Sequence, residues 1–317
     1  MVILLSAEAW GFSHDIINRR RKLYNEEQRL RLNLENSKKL TIDTLIPDIQ
    51  SLLLSGVDVP EDLADRYAGL FKNLLVTRLK DREKRGTLRM SSIGKPCERQ
   101  LYYSVNHSDE GEELPPSAYM KFLFGDLCEL LLLFLVEASG HSVEGTQDEQ
   151  EIEGIKGHRD AVIDGTIVDV KSASTFSFKK FEDGTLEEND SFGYIDQLQS
   201  YLYAGQTDDK VTDKDRAAFL VLDKTLGHIC LDVHQRKDLP YDKIFAHKKE
   251  VVNASSPPPR GFDPVPDGAS GNEKLNTQCS YCDFKQKCHP NLRTFLYSNG
   301  PRFLTEVKKL PNVPEIS

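Results

Sequence analysis

Apolar residues recur at helical spacing through the first third of the chain: Leu30 and Leu34, then Leu45, Ile49, Leu52 and Leu53, then Leu63, Leu70, Leu74, Leu75 and Leu79. With Pro47 and Pro60 as punctuation, this predicts a helical amino-terminal module over residues 1–90. Residues 107–116 are acidic, end in Pro115-Pro116 and read as a loop, and a long apolar helix is expected over 119–139. From 150 to 171 the pattern turns strand-like, interrupted at Asp164-Gly165. A polar insert (182–190), a helix (194–204), two strands (217–223 and 227–233) and a helix (241–252) follow. Pro, Gly and Ser gather over 255–271, so 253–274 reads as a linker to a final segment, 275–317, packed on the core. This order predicts an α/β core over 91–252, a mixed sheet flanked by helices.

Composition narrows the class. The chain has 317 residues, 38% hydrophobic and 29% charged, as in globular proteins. Its richest apolar run, 127–136, carries Cys128 and Glu129 and is too short to span a bilayer. Met1 to Leu5 are apolar, but no basic region precedes Glu8, so the start does not read as a signal peptide and a cytoplasmic location is expected. Six cysteines in such a protein argue against a disulfide framework. The net charge of −9 requires any nucleic-acid surface to be a local basic lining. Arg19-Arg20-Arg21-Lys22, the run from Lys80 to Arg85 and Lys179-Lys180 offer pieces of one, and each fits a solvated helix face equally well.

Chemistry concentrates between Gly157 and Lys171. Asp-Gly is a two-residue hairpin signal because both positions tolerate positive φ. With Asp164-Gly165 as the loop, Ile163 faces Thr166, and counting outward sets Asp160 opposite Asp169 and His158 opposite Lys171. Facing carboxylates repel and call for a counter-charge, which a hard divalent cation such as Mg²⁺ or Mn²⁺ supplies. Asp169 and Lys171 share a strand face, so an ammonium stands beside the acids, placed to orient or deprotonate water or to stabilise phosphate charge. The Val170 carbonyl is a further candidate ligand. Glu129, among leucines on the apolar helix, needs a partner that metal ligation would provide.

These residues carry a resemblance. Gly125 with Glu129, then Asp160, then Asp169-x-Lys171, then Gln197 with Tyr201 resemble the motif series of the RecB-like branch of the PD-(D/E)XK nucleases. Many relatives have His where this chain has Glu129, and Gln199 with Tyr203 has the same spacing as Gln197 with Tyr201. The resemblance covers about residues 91–290 and implies a restriction-endonuclease-like fold. It implies Glu129, Asp160, Asp169 and the Val170 carbonyl as metal ligands, Lys171 as catalytic assistant, and Gln197 and Tyr201 as residues holding substrate and site. The implied activity is a Mg²⁺- or Mn²⁺-dependent exonuclease on DNA ends, single strands included, in recombination, repair or phage DNA processing, with a recombination or helicase protein as possible partner. The alternatives are a nuclease subunit for CRISPR adaptation or a helicase complex, and a catalytically inactive DNA-binding module.

Cys279-x-x-Cys282 followed by Cys288 packs three thiols into ten positions and points to a metal site lacking a local fourth ligand. The segment Ser91–Tyr103, containing Cys97, resembles the entry of the iron–sulfur nucleases, in which one cysteine precedes the core and three follow it. The resemblance implies a 4Fe–4S cluster on Cys97, Cys279, Cys282 and Cys288, with zinc as the alternative. Closing so long a loop is worth on the order of 5 kcal/mol in the entropic account, which points to a structural clip. Cys128 and Cys230 sit in apolar elements and read as core. Arg99, Tyr102 and Tyr103 read either as contacts to a nucleic-acid strand or as core, and His158 and Arg159 as residues bordering the cleft or as structural.

Overall fold

The computed structural model describes residues 40–80 and 86–316. The helical expectation for residues 1–39, the Arg19–Lys22 basic run and residues 81–85 of the second run lie outside these. Among the described residues the first two α-helices, α1 (Leu45–Ser55) and α2 (Glu61–Arg78), are amphipathic. Their apolar stripes bury Leu45, Ile49, Leu63 and Tyr67 against Leu132, Leu133 and Val136 of a later helix. Residues 42–78 thus pack as a layer on the core.

After α3 (Glu98–Asn106), the long apolar helix forms as α4 (Pro116–Ala138). Seven strands and three helices follow: β1 (Val143–Glu144), β2 (Glu149–Ile152), β3 (Ile155–His158), β4 (Ala161–Ile163), β5 (Thr166–Ala173), α5 (Thr175–Glu182), α6 (Tyr194–Ala204), β6 (Arg216–Asp223), β7 (Ile229–Gln235) and α7 (Tyr241–Asn253). The main sheet has the order β1-β4-β5-β6-β7. Only β5 and β6 run parallel, joined by the α5–α6 crossover, so the sheet is mixed. Strand alternation sends Val168, Val170, Ala218 and Leu220 to the face covered by α1, α2 and α4. Ile167, Ala173, Phe219 and Val221 face α5, α6 and α7, where Phe178, Leu198 and Phe245 complete the second core.

Two parts differ from expectation. The strand-like stretch 150–171 folds back twice, because Glu153 and Gly154 both take positive φ and make β2–β3 a separate two-stranded hairpin. Within 253–317, the expected linker and tail form a second antiparallel sheet. Its strands are β8 (Val265–Pro266), β9 (Glu273–Lys274), β10 (Arg293–Tyr297), β11 (Gly300–Glu306) and β12 (Glu315–Ile316), around buried Leu275, Phe295 and Leu304. Two short helices, α8 (Thr277–Ser280) and α9 (Lys285–Cys288), carry Cys279 and Cys288, with Cys282 in the turn between them. No helix among the described residues is long and apolar enough to cross a membrane.

Candidate active site and cysteine cavity

The Asp164–Gly165 turn takes φ of 49° and 81°, and the ladder pairs Ile163 with Thr166 and Ala161 with Val168. Asp160 stands one residue beyond the end of β4, so β5 runs on from Asp169 without a neighbour on that side. Asp160 does not meet Asp169 through a continuing ladder; its Oδ2 accepts a hydrogen bond from the Val170 N–H at 2.8 Å. At this open edge the side chains of both layers meet.

Asp169 is buried, and Lys171, on the same face, places Nζ 2.5 Å from its Oδ2. Asp169 Oδ1 accepts from Gln197 Nε2 at 3.3 Å, and α6 also sets Tyr201 over the site. Tyr201 packs where Gly157 lacks a side chain: a Cβ there would fall 2.6 Å from Met90 Cβ and 2.8 Å from the Tyr201 hydroxyl. Glu129 reaches the edge from α4 and accepts from Gln147 Nε2 at 2.8 Å.

The electrostatics follow from this crowding. Burial, then the charges of Asp169 and Glu129, push the Asp160 carboxyl well above its usual range. Burial likewise raises Glu129, with the Gln147 hydrogen bond opposing and Asp126 and Asp169 reinforcing. Burial alone would lower the Lys171 ammonium, but the charges of Asp169 and Asp160 outweigh it and hold it above the ordinary lysine value. Paired with Asp169, the Lys171 ammonium is suited to steadying charge on a phosphate. It also sits 5.0 Å from the centre of the Tyr194 ring.

Among the described residues no three His, Cys, Asp or Glu side chains close on a common point as a ready-made metal cage. The carboxylates nonetheless suit a hard cation. Three acids interact across a buried edge, and Asp169 Oδ2 accepts no well-formed hydrogen bond, meeting only the Lys171 ammonium.

The Gln199–Tyr203 pair points elsewhere. Gln199 donates to the Gln235 carbonyl and accepts from the Lys237 N–H, and Tyr203 donates to Asp242. His158 pairs with Glu149 in the separate hairpin and not with Lys171. Arg159 is almost fully buried, tied to Asp148 at 3.1 Å and Asp208 at 2.7 Å, and is structural. Tyr102 and Tyr103 are buried with Phe284, and Arg99 donates to the Pro258 carbonyl at 2.8 Å. Of the basic pairs, Lys180 donates to the Asn189 carbonyl on the surface beside α5. Gln147 and the ring of Tyr194 had no signal as site residues, since both act through contacts across distant turns.

Cys97, just before α3, lines one cavity of about 480 Å³ together with Cys279, Cys282 and Cys288. Burial, reinforced by Cys97, pushes the Cys279 thiol up to about 11 and the Cys282 thiol up to about 12. The wall also holds buried His289, whose imidazole is lowered by burial and by Arg260 and Arg99. Cys128 and Cys230 lie apart from this cavity, Cys128 buried and Cys230 half-buried. The cavity joins the active-site layer through a backbone crossing, where Gly94, in the segment leading to Cys97, lies against Gly193 at the start of α6.

No family model and no curated protein matches the chain. Among solved structures it is similar to the crystal structure of SSO0001, with 15% identity, a TM-score of 0.38, and coverage of 70% of this chain and 95% of that one. It is similar to an alkaline exonuclease from Laribacter hongkongensis, with 15% identity, a TM-score of 0.37, and coverage of 57% and 90%. It is also similar to a phage-related exonuclease from Haemophilus somnus 129PT, with 17% identity, a TM-score of 0.30, and coverage of 52% and 90%.

Proposed function

We propose that this chain is a Mg²⁺- or Mn²⁺-dependent DNA exonuclease of the PD-(D/E)XK type, acting on DNA ends. One observation carries the reading: Lys171 stands 2.5 Å from Asp169, Gln197 steadies the same carboxylate, and the charges of Asp160, Asp169 and Glu129 act on one another at this end of β5. A cation bound by Glu129, Asp160, Asp169 and the Val170 carbonyl would polarise the phosphate and activate water. The remaining work belongs to the chain. Lys171 presents a fixed positive charge where negative charge builds on the phosphate oxygens. Gln197 fixes the rotamer of Asp169, the Val170 N–H fixes that of Asp160, and Gln147 fixes that of Glu129.

The same reading assigns Cys97, Cys279, Cys282 and Cys288 to a 4Fe–4S cluster. The donor set is all thiol, and the four cysteines line one cavity, which suits an iron–sulfur cluster. The cluster would clip the segment before the core to the one after it.

The test is anaerobically purified full-length protein on end-labelled single- and double-stranded DNA, with Mg²⁺, Mn²⁺ or EDTA. Progressive shortening from an end, abolished by EDTA, is expected; intact DNA under every condition contradicts the reading. Broad visible absorption and iron with sulfide in the same preparation are expected, and a colourless protein with stoichiometric zinc contradicts the cluster.

A further inference from the structure

Of the two readings open for Tyr102 and Tyr103, strand contact or core, their burial favours core. Other rings take the exposed position. Phe192 is 49% exposed and Tyr281 is 71% exposed, large apolar areas to leave in water. Their rings meet edge to face at 6.0 Å, and Phe192 lies 5.6 Å from Tyr194, the ring beside Lys171. An unbroken aromatic path thus runs from the cysteine cavity to the catalytic lysine.

Phe192 stands between two cavities and lines both. On one side is the cysteine cavity, whose wall includes Lys95, Lys121 and Arg260. On the other is a space of about 210 Å³ bounded by Lys171, Ser172, Ser174, Lys180 and Lys224. Both are basic linings in a chain of net charge −9. The acid of the second wall, Asp190, is occupied with backbone: its Oδ1 accepts from the N–H groups of Phe192 and Gly193, and its Oδ2 accepts from that of Ile195. Those bonds fix the loop, so the exposure of Phe192 is held in place by the fold.

We infer that Phe192, with Tyr281 behind it, is a base-stacking post for single-stranded DNA, which passes over these exposed rings at the mouth of the cysteine cavity, whose interior is left to the cluster, and on to Lys171. The inference deepens the nuclease reading and rests on it for the identity of the strand. An aromatic face accepts any base, each stacked base being worth roughly 1–3 kcal/mol, while the flanking lysines and arginine follow the phosphates. A blunt duplex offers only the outer face of each terminal base pair, its other base faces being stacked already, so the post favours frayed or single-stranded ends.

The test is binding without cutting: fluorescence anisotropy of labelled oligothymidylate and of a blunt duplex of equal length, with full-length protein in EDTA. Phe192→Ala and Phe192→Leu are expected to weaken oligothymidylate binding about 5- to 100-fold and to weaken duplex binding far less. Phe192→Trp is expected to retain it. The leucine variant keeps the apolar bulk against Tyr194 and Tyr281, so a loss there reports the ring face and not misfolding. The inference is overturned if the leucine variant binds like the wild type, if duplex binding falls equally, or if the wild type does not bind oligothymidylate. Cutting assays separate the two readings. Phe192-dependent binding without any cleavage in Mn²⁺ removes the nuclease and leaves the post; cleavage with binding indifferent to Phe192 does the reverse.

Discussion

His141 offers a sharp test of how the site's geometry is held. Its side chain is fully buried, with Nδ1 2.6 Å from Asp164 and Nε2 3.2 Å from Asp48. It thereby ties α1 to the turn that sets the β4–β5 register, and so the placement of Asp160 beside Val170. Two charge-assisted hydrogen bonds contribute about 1.5–3 kcal/mol each. Asp48 is one-third exposed, so its share belongs at the low end. His141→Gln can keep one bond and loses the charge, and should cost about 2–4 kcal/mol near pH 5.5. Burial pulls the imidazole down, but Asp164 and Asp48 outweigh it and raise it above its usual value. Its contribution is therefore complete below the unfolded histidine pKa and is lost as pH rises through the folded one. Burial raises Asp164, yet His141 and Ser142 outweigh it and lower it, so its contribution fades as pH falls through that depressed value. Urea denaturation of wild type and variant from acid to alkaline pH should show the largest gap in the mildly acidic window and a narrower one in alkali, where a neutral ring has one N–H for two carboxylates. A gap constant with pH, or one that widens in alkali, refutes this account of the clamp.

Further outcomes follow from the same contacts. Asp160→Asn keeps an acceptor for the Val170 N–H but removes a buried like charge. A carboxyl raised in the folded state costs stability as pH climbs from its unfolded value, about 1.4 kcal/mol for each unit raised, so without divalent metal the variant should resist urea better than wild type at pH 7 while losing activity. Gly193→Ala should destabilise by about 2–5 kcal/mol in the same assay. Its φ is +74°, and the added Cβ would fall 1.7 Å from the Gly94 carbonyl oxygen, forcing apart the crossing between the cysteine segment and α6.

Much of the site is legible because it depends on local chemistry. Asp164-Gly165 fixes a two-residue turn, alternation then places Asp169 and Lys171 on one face, and helical spacing places Gln197 with Tyr201. The outer rungs are not legible. The ladder ends at Ala161, and the Glu153–Gly154 turn carries His158 into another hairpin, so counting outward from the loop fails where pairing stops. Burial is not written locally either. Tyr102, Tyr103 and Arg159 are amphipathic groups that suit a cleft or a core, and only distant partners such as Phe284 and Asp208 decide. The second sheet escapes because three of its strands have two residues each, too few to show a period, and lie among prolines and glycines.

The most direct measurement is the rate at which Lys171→Ala shortens end-labelled DNA in saturating Mn²⁺, beside wild type and with folding checked by urea. Loss of the fixed cation at the phosphate should slow cleavage on the order of 100-fold or more, with the variant still folded. Cleavage by that variant at the wild-type rate would contradict the assignment of this edge as the catalytic centre.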